Sequence, residues 1–237
     1  MVDDVSAALD LLRCGEVELL GRMPWSSNAT FLARVGEGDT ESLAIYKPHR
    51  GERPLWDFPS GLWRREVAAF ELSEALGWRL VPPTVLRDGP LGEGSLQQFV
   101  HVDHDDHYFT MLEEDDEALL AQLRAMCCFD LIANNTDRKS GHCLLDAERH
   151  VWGIDHGLAF HAEFKLRTVI WDFAGEPIPE HLLVDVAGLL DRGLPEAFAE
   201  LLDPFERDAV CARARGVLAE AEFPVDRTGR AYPWPLI

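Results

Sequence analysis

Two acidic side chains could do chemistry together in this chain. Asp137 lies in the phrase Asn134-Asn135-Thr136-Asp137-Arg138, and Asp155 in Ile154-Asp155-His156-Gly157-Leu158, 18 residues later. Between them come an apolar run, Cys143-Leu144-Leu145, a turn-like Asp146 to His150, and a second apolar run, Val151 to Ile154. The pattern reads as loop, strand, turn, strand, with both carboxylates at the loop ends of one small hairpin. Phosphoryl transfer uses such a pair. One carboxylate orients and deprotonates the attacking hydroxyl, and the other holds a metal on the phosphates. Taken singly, each Asp is more often a turn or cap residue, so the weight rests on what joins them.

Lys47 and Glu66 are the candidates to join them. Lys47 ends an alternating run, Ser42-Leu43-Ala44-Ile45-Tyr46-Lys47, where a strand-end lysine can reach nucleotide phosphates and be held straight by a carboxylate from the next helix. A strand-end lysine also snorkels in ordinary folds. The chain has only three lysines, Lys47, Lys139 and Lys165, among 22 cations, so a lysine here is mildly more suggestive of a need for a compact ammonium. Glu66 is preferred to Glu71 as its partner, because the apolar stripe of the helix puts Glu66 nearer the sheet. Ser26 and Ser27, in the turn Trp25 to Asn28, have small hydroxyls and backbone N–H groups suited to cradling phosphate, although an ordinary hairpin turn has the same composition. Arg138 can neutralise phosphate charge or pair locally. Gly157 is expected to let the backbone turn sharply beside Asp155.

The elements that must position these groups follow from periodicity. Val5 to Cys14 has helical spacing and stops at Gly15. Strands are expected over 16–21, 30–35 and 42–47, making a three-stranded antiparallel meander. Leu62 to Leu76 carries an apolar stripe of Trp63, Val67, Phe70, Leu72 and Leu76, and Gly77 ends it. Two more strands are expected over 81–86 and 94–100. A polar linker spans 101–106, and the boundary between an N-terminal lobe (1–100) and a C-terminal lobe (101–237) is placed there. Helices follow over 117–132, 182–190, 195–202 and 204–221. The fold class is α+β, two lobes with a cleft between them.

Composition bounds the function. The chain has 237 residues and a formal net charge of -20. Such an acidic surface disfavours nucleic acid and anionic lipid, since phosphate binding needs clustered cations. Five cysteines with no C-x-x-C pair suggest neither a disulfide framework nor a thiolate zinc site; adjacent Cys127 and Cys128 are expected in the core. No apolar run approaches the roughly 20 residues of a membrane span. The acidic start is unlike a signal peptide, so a reducing, cytoplasmic setting is expected.

A resemblance adds to this. Phe129 to Arg138 and Ile154 to Phe160 resemble the catalytic and metal-binding motifs of the phosphatidylinositol 3-/4-kinase superfamily, type II 4-kinases especially. Arg65 to Leu72, continuing through Leu76-Gly77 and Val81 to Thr84, resembles the helix and following strand of that group. The chain as a whole is similar to a bacterial family distantly related to those kinases, with the match covering about Leu19 to Phe160. The resemblance implies a two-lobed kinase-like fold using ATP and a divalent metal, Mg or Mn. It implies that Lys47 binds phosphate, Glu66 orients it, Asp137 is the base, Asp155 binds the metal, and Gln98, Phe99 and Val100 form the hinge that holds adenine. One position departs: those kinases usually place Asn five residues past the base as second metal ligand, and here it is His142. Imidazole suits Mn or Zn better than Mg. Asn134 or Asn135 is an alternative oxygen ligand.

The expected activity is transfer of a γ-phosphoryl group from ATP to a hydroxyl of an acceptor, protein or small molecule in preference to lipid. A nucleotide-binding pseudokinase and an AMP transferase are the alternatives. His101 to His107 looks like a metal cluster, but its place in a linker favours a solvated acidic loop. Glu113 to Glu117 reads as a charged helix start. Lys165 or Arg167 is a conditional choice for contacting a substrate phosphate or acidic group.

Overall fold

The computed structural model describes residues 2–24, 28–102 and 106–236. Ser26 and Ser27 lie outside those residues, as does His104 of the histidine cluster. The protein is a mixed α+β chain whose main sheet is antiparallel. Helix α1 (Val2–Cys14) precedes strands β1 (Val17–Arg22), β2 (Phe31–Val35) and β3 (Ser42–Pro48). Helix α2 (Leu62–Leu76) is followed by β4 (Thr84–Gly89) and β5 (Gly92–Gln98), and the sheet runs in the order β1-β2-β3-β5-β4. The meander is therefore as expected, with the later hairpin inserted so that β5 lies beside β3.

Both strands of that hairpin begin and end differently from the sequence expectation. β4 starts at Thr84 because Pro82 and Pro83 have no N–H to give to a ladder. The turn is tight, so the ladder extends to the pair Gly89–Gly92.

Alternation along β3 sorts its side chains. Ala44 and Tyr46 are buried in a small core with Leu12 of α1, Ala33, Val35, Val85 and Leu96. Ile45 and Lys47 point to the opposite face, which lines the main cavity.

Helix α2 forms where the sequence places it. Its N-terminus is capped from a distance: Glu52 accepts the Gly61 N–H at 3.0 Å and the Trp63 N–H at 2.9 Å, satisfying donors that the first turn leaves open. Gly77, at φ 73°, ends it in a left-handed cap.

Helix α3 (Tyr108–Glu113) was not expected. It is one and a half turns, opened by a reciprocal cap between His107 and Thr110. The acidic run from Glu113 thus closes α3 and opens the next helix, where Asp116 caps Ala118 N–H. That helix, α4 (Glu117–Ala133), has Cys127 and Cys128 in the core. The hairpin β6 (Cys143–Leu145) and β7 (Val151–Gly153) pairs Cys143 with Gly153. Helices α5 (Glu180–Arg192), α6 (Glu196–Leu201) and α7 (Pro204–Glu220) complete the chain and pack against α2 and α4. Among the described residues no helix is long and apolar enough to cross a membrane.

Candidate functional site

Lys47, Glu66 and Asp155 converge. The Lys47 ammonium lies 2.5 Å from Glu66 Oε1 and 2.9 Å from Asp155 Oδ1. Glu66, not Glu71, is the inward carboxylate; its second oxygen accepts the His156 N–H at 2.9 Å. Burial alone would depress the Lys47 ammonium, but Asp155 and Glu66 outweigh it and hold it charged, above its usual range. Lys47 in turn holds Asp155 well below the usual carboxylate range.

Asp155 sits at φ 60°, a left-handed conformation that Asp tolerates better than most residues. The sharp turn therefore falls on Asp155 itself and not on Gly157. Glycine at 157 serves close approach: a Cβ there would lie 3.2 Å from Glu66 Oε1.

Asp137 faces the same cavity, about 980 Å³ in volume, with Lys47, Glu66, His142 and Asp155. Burial lifts its carboxyl above the ordinary value, opposed by Lys139, whose ammonium is 3.2 Å from Asp137 Oδ2. Lys139 also lines the cavity. Sequence reasoning did not select it; its scarcity as one of three lysines and its place two residues after Asp137 were the available signals.

His142 has the geometry of a ligand. Its Nδ1 is 3.0 Å from the Asp137 carbonyl. The Lys139 N–H also points at Nδ1, but at 3.5 Å; the carbonyl contact is the shorter, and a carbonyl only accepts, so it places the proton on Nδ1 and leaves Nε2 its lone pair. Nε2 lies 3.5 Å from Asp155 Oδ2. Burial lowers the ring's pKa to about 4, so it is neutral at physiological pH. Among the described residues no group of three His, Cys, Asp or Glu could hold a metal by itself. Asp155 and His142 fit an ion whose other positions come from substrate phosphates and water, the usual manner of Mg and Mn.

Arg138 is placed elsewhere. It is fully buried and forks onto Asp130, Nε to Oδ2 and Nη2 to Oδ1, each at 2.9 Å. Nη1 donates to the carbonyls of His142 at 3.1 Å and Ile154 at 3.0 Å, and Nη2 to His156 Nε2 at 2.8 Å. All of the guanidinium's N–H donors are committed, so none is left to meet a phosphate. Of its two expected roles, local pairing is the one realised: it ties the Asp137 loop to the Asp155 loop. Asn134 and Asn135 are likewise occupied. Asn134 bonds the backbone of His161, Glu163 and Lys165, and Asn135 bonds Asp130 and the Asp137 N–H. Both are fully buried, and neither is among the residues that line the cavity.

Gln98, Phe99 and Val100 line the other end of the cavity, with Met23, Ile45, Leu144 and Ile154 as apolar walls. Gln98 N–H donates to Pro83 O at 2.8 Å and Phe99 N–H to Leu43 O at 3.0 Å. The Val100 N–H has no protein partner among the described residues. Lys165 is committed to the Asp57 carbonyl at 3.0 Å. Arg167 is exposed and near enough to Asp137 to lower its pKa. His107 is occupied as a helix cap, and His101 packs on Phe99 with ring centroids 5.0 Å apart.

No protein-family model matches the chain. It is 41% identical to Protein Rv2133c of Mycobacterium tuberculosis, over 95% of this chain and 94% of that protein. Among solved structures it is similar to the proinflammatory kinase CtkA of Helicobacter pylori, with a TM-score of 0.51, 12% identity, and 90% of this chain and 94% of that one covered. It is also similar to hydra Fam20 with sugar, with a TM-score of 0.57, 12% identity, and coverage of 93% and 90%. At these identities the likeness is one of fold, and the fold is kinase-like.

Proposed function

The chain belongs to the family of Protein Rv2133c, and from that premise and the geometry of the cleft we propose that it is an ATP- and metal-dependent phosphotransferase. The observation that carries this reading is the Lys47 ammonium, bridged by Glu66 and Asp155, opening onto the cavity that Asp137 lines. Lys47 has three N–H donors. Two meet carboxylates, and the third is available to a phosphate oxygen. In this proposal residues 1–100 and 101–237 are the two lobes, arranged as a distant variant of the phosphatidylinositol 3-/4-kinase fold, with adenine against the Val100 N–H.

Asp137 orients the acceptor hydroxyl and takes its proton. Burial, by raising its pKa, makes it a better base than an exposed Asp. The acceptor oxygen bonds to the γ-phosphorus as the bond to the β–γ bridging oxygen breaks, and ADP departs. Lys47 and Lys139 face the charge that develops on the phosphate oxygens. Asp155 and His142 would hold a divalent ion, and the imidazole favours Mn over Mg. Bound there, the ion supplies positive charge at the β- and γ-phosphates. A net charge of -20 favours a protein or small-molecule acceptor over lipid, and Arg167, beside Asp137, is placed to meet an acidic group on it. A cytoplasmic location accords with this substrate.

The test is ADP release by the wild type and by Asp155→Ala. Turnover should fall by at least about 100-fold in the variant, which stays folded but melts somewhat lower, because alanine is strained at φ 60° and the Lys47 contact is lost. Equal rates would refute the assignment. His142, standing where Asn is usual, favours one second reading, a nucleotide-binding regulatory module. That module predicts thermal stabilisation by ATP without turnover. AMP transfer would show in product mass, as an acceptor that gains a nucleotide.

A further inference from the structure

Helix α2 presents two consecutive residues to the loop that carries Asp155. Glu66 Oε2 accepts the His156 N–H at 2.9 Å. Arg65 Nη1 donates to the Ala159 carbonyl at 2.7 Å. The loop is thus pinned to α2 on both sides of Gly157. Behind Arg65 stands Glu206 of α7, paired through Arg65 Nη2 and Glu206 Oε1, and the two residues are 2% and 4% exposed.

Glu206 is itself held. Its Oε2 accepts the Asp203 N–H at 3.1 Å, and its own N–H donates to Asp203 Oδ1 at 2.9 Å, the reciprocal cap that opens α7. The Arg65 guanidinium also lies over the Phe58 ring, 4.8 Å from its centroid. At the far end of α2, Arg192 of α5 donates to the Ala75 carbonyl at 3.0 Å. The Trp78 indole, just past the cap, donates to Asp185 at 2.9 Å. The helix is therefore fastened at both ends to the C-terminal helices. Swinging it outward would strand a buried arginine and a buried glutamate.

We propose that Arg65 is a positioning residue: with Glu206 behind it, it holds the Asp155 loop and the Lys47–Glu66 pair in their working arrangement without an activating event. The C-terminal helices are then part of the site's support. Arg65 is not among the residues that line the cavity, and it acts through Glu66 and Asp155. The kinetic consequence rests on the phosphotransferase reading, whereas the structural consequence does not.

Arg65→Met alone leaves Glu206 buried and unpaired, which is strongly destabilising. The informative variant is Arg65→Met with Glu206→Gln, which removes both charges at similar bulk and keeps an oxygen for the Asp203 N–H. Its melting should stay near that of the wild type. Amide hydrogen exchange over 155–159 should quicken at least about tenfold, while α4 amides keep their protection. ATP turnover should fall at least about tenfold in kcat, with a smaller change in KM. If the double variant does not fold, Arg65→Lys takes its place; it keeps the charge but cannot reach Glu206 and Ala159 together. Wild-type exchange over 155–159 in a folded variant overturns the proposal, whatever happens to its melting temperature. If the wild type turns over no ATP, the functional reading fails and the exchange measurement alone decides the role of Arg65.

Discussion

Lys47 and Asp155, 108 positions apart in the chain, meet at 2.9 Å. That contact brings the end of β3 against the loop that leaves β7, so groups from the sheet and from the hairpin share one crevice. The ammonium is compact and makes two carboxylate contacts at once. A planar guanidinium has a different reach and a fixed fork. Lys47→Arg should therefore keep the charge and the fold but lower ATP turnover by at least about tenfold. Steady-state kinetics beside a melting curve checks this, and an unchanged kcat/KM would count against the phosphate role.

Arg138 should behave as a structural residue. Arg138→Ala leaves Asp130, 1% exposed, without its fork. The expected loss is about 3–5 kcal/mol of folding stability, as for any buried pair broken from one side. Denaturant unfolding measures it. A variant that is fully stable but inactive would return Arg138 to the phosphates.

Gly157→Ala tests close approach. The added Cβ would sit 3.2 Å from Glu66 Oε1 and 3.5 Å from Leu62 Cβ, so the carboxylate that holds Lys47 must shift. Turnover should drop several-fold while melting changes by no more than the roughly 1 kcal/mol typical of a point substitution. Unaltered kinetics would show that Glu66 can yield without effect.

Val100→Pro removes the N–H assigned to adenine. ATP KM should rise about tenfold, the loss of one well-placed hydrogen bond, with kcat much less affected. An unchanged KM would place the base elsewhere in the cavity.

Alkaline pH should destabilise the fold through three thiols. Burial pushes Cys128 and Cys143 up to about 12 and Cys127 well above its usual value. The native state therefore keeps protons that the unfolded chain releases. Stability is intact below the ordinary thiol value of 9 and is lost as pH rises from there toward 12. Each thiol removes about 1.4 kcal/mol per pH unit inside that window. Denaturant midpoints measured from pH 8 to 11 check the slope, and a flat profile would contradict the burial.

The α+β class and its main elements were legible, because period-two alternation in β3 and the stripe in α2 leave little choice of face. The same alternation placed Lys47 opposite Tyr46, and the stripe separated Glu66 from Glu71. Arg138 was harder to place. A charged residue beside Asp137 looks catalytic until Asp130, eight residues back in the last turn of α4 and among apolar neighbours, is seen to need a partner. Helix α3 hid because six residues hold too little periodicity to register, and its cap uses a histidine. The fastening of α2 was also illegible: Arg65 and Glu206 are 141 positions apart, and the Ala159 carbonyl carries no side-chain signature. The turn at Asp155 was assigned to Gly157 because glycine is the usual occupant of left-handed backbone, whereas aspartate takes it here.

The most direct measurement is a crystal structure with a non-hydrolysable ATP analogue and Mn²⁺, with the metal located by anomalous scattering. The expected result is a manganese peak coordinated by Asp155 and His142 Nε2, with the analogue's phosphates on Lys47 and its γ-phosphate facing Asp137. A peak away from Asp155, or an analogue seated outside the crevice, would contradict the account.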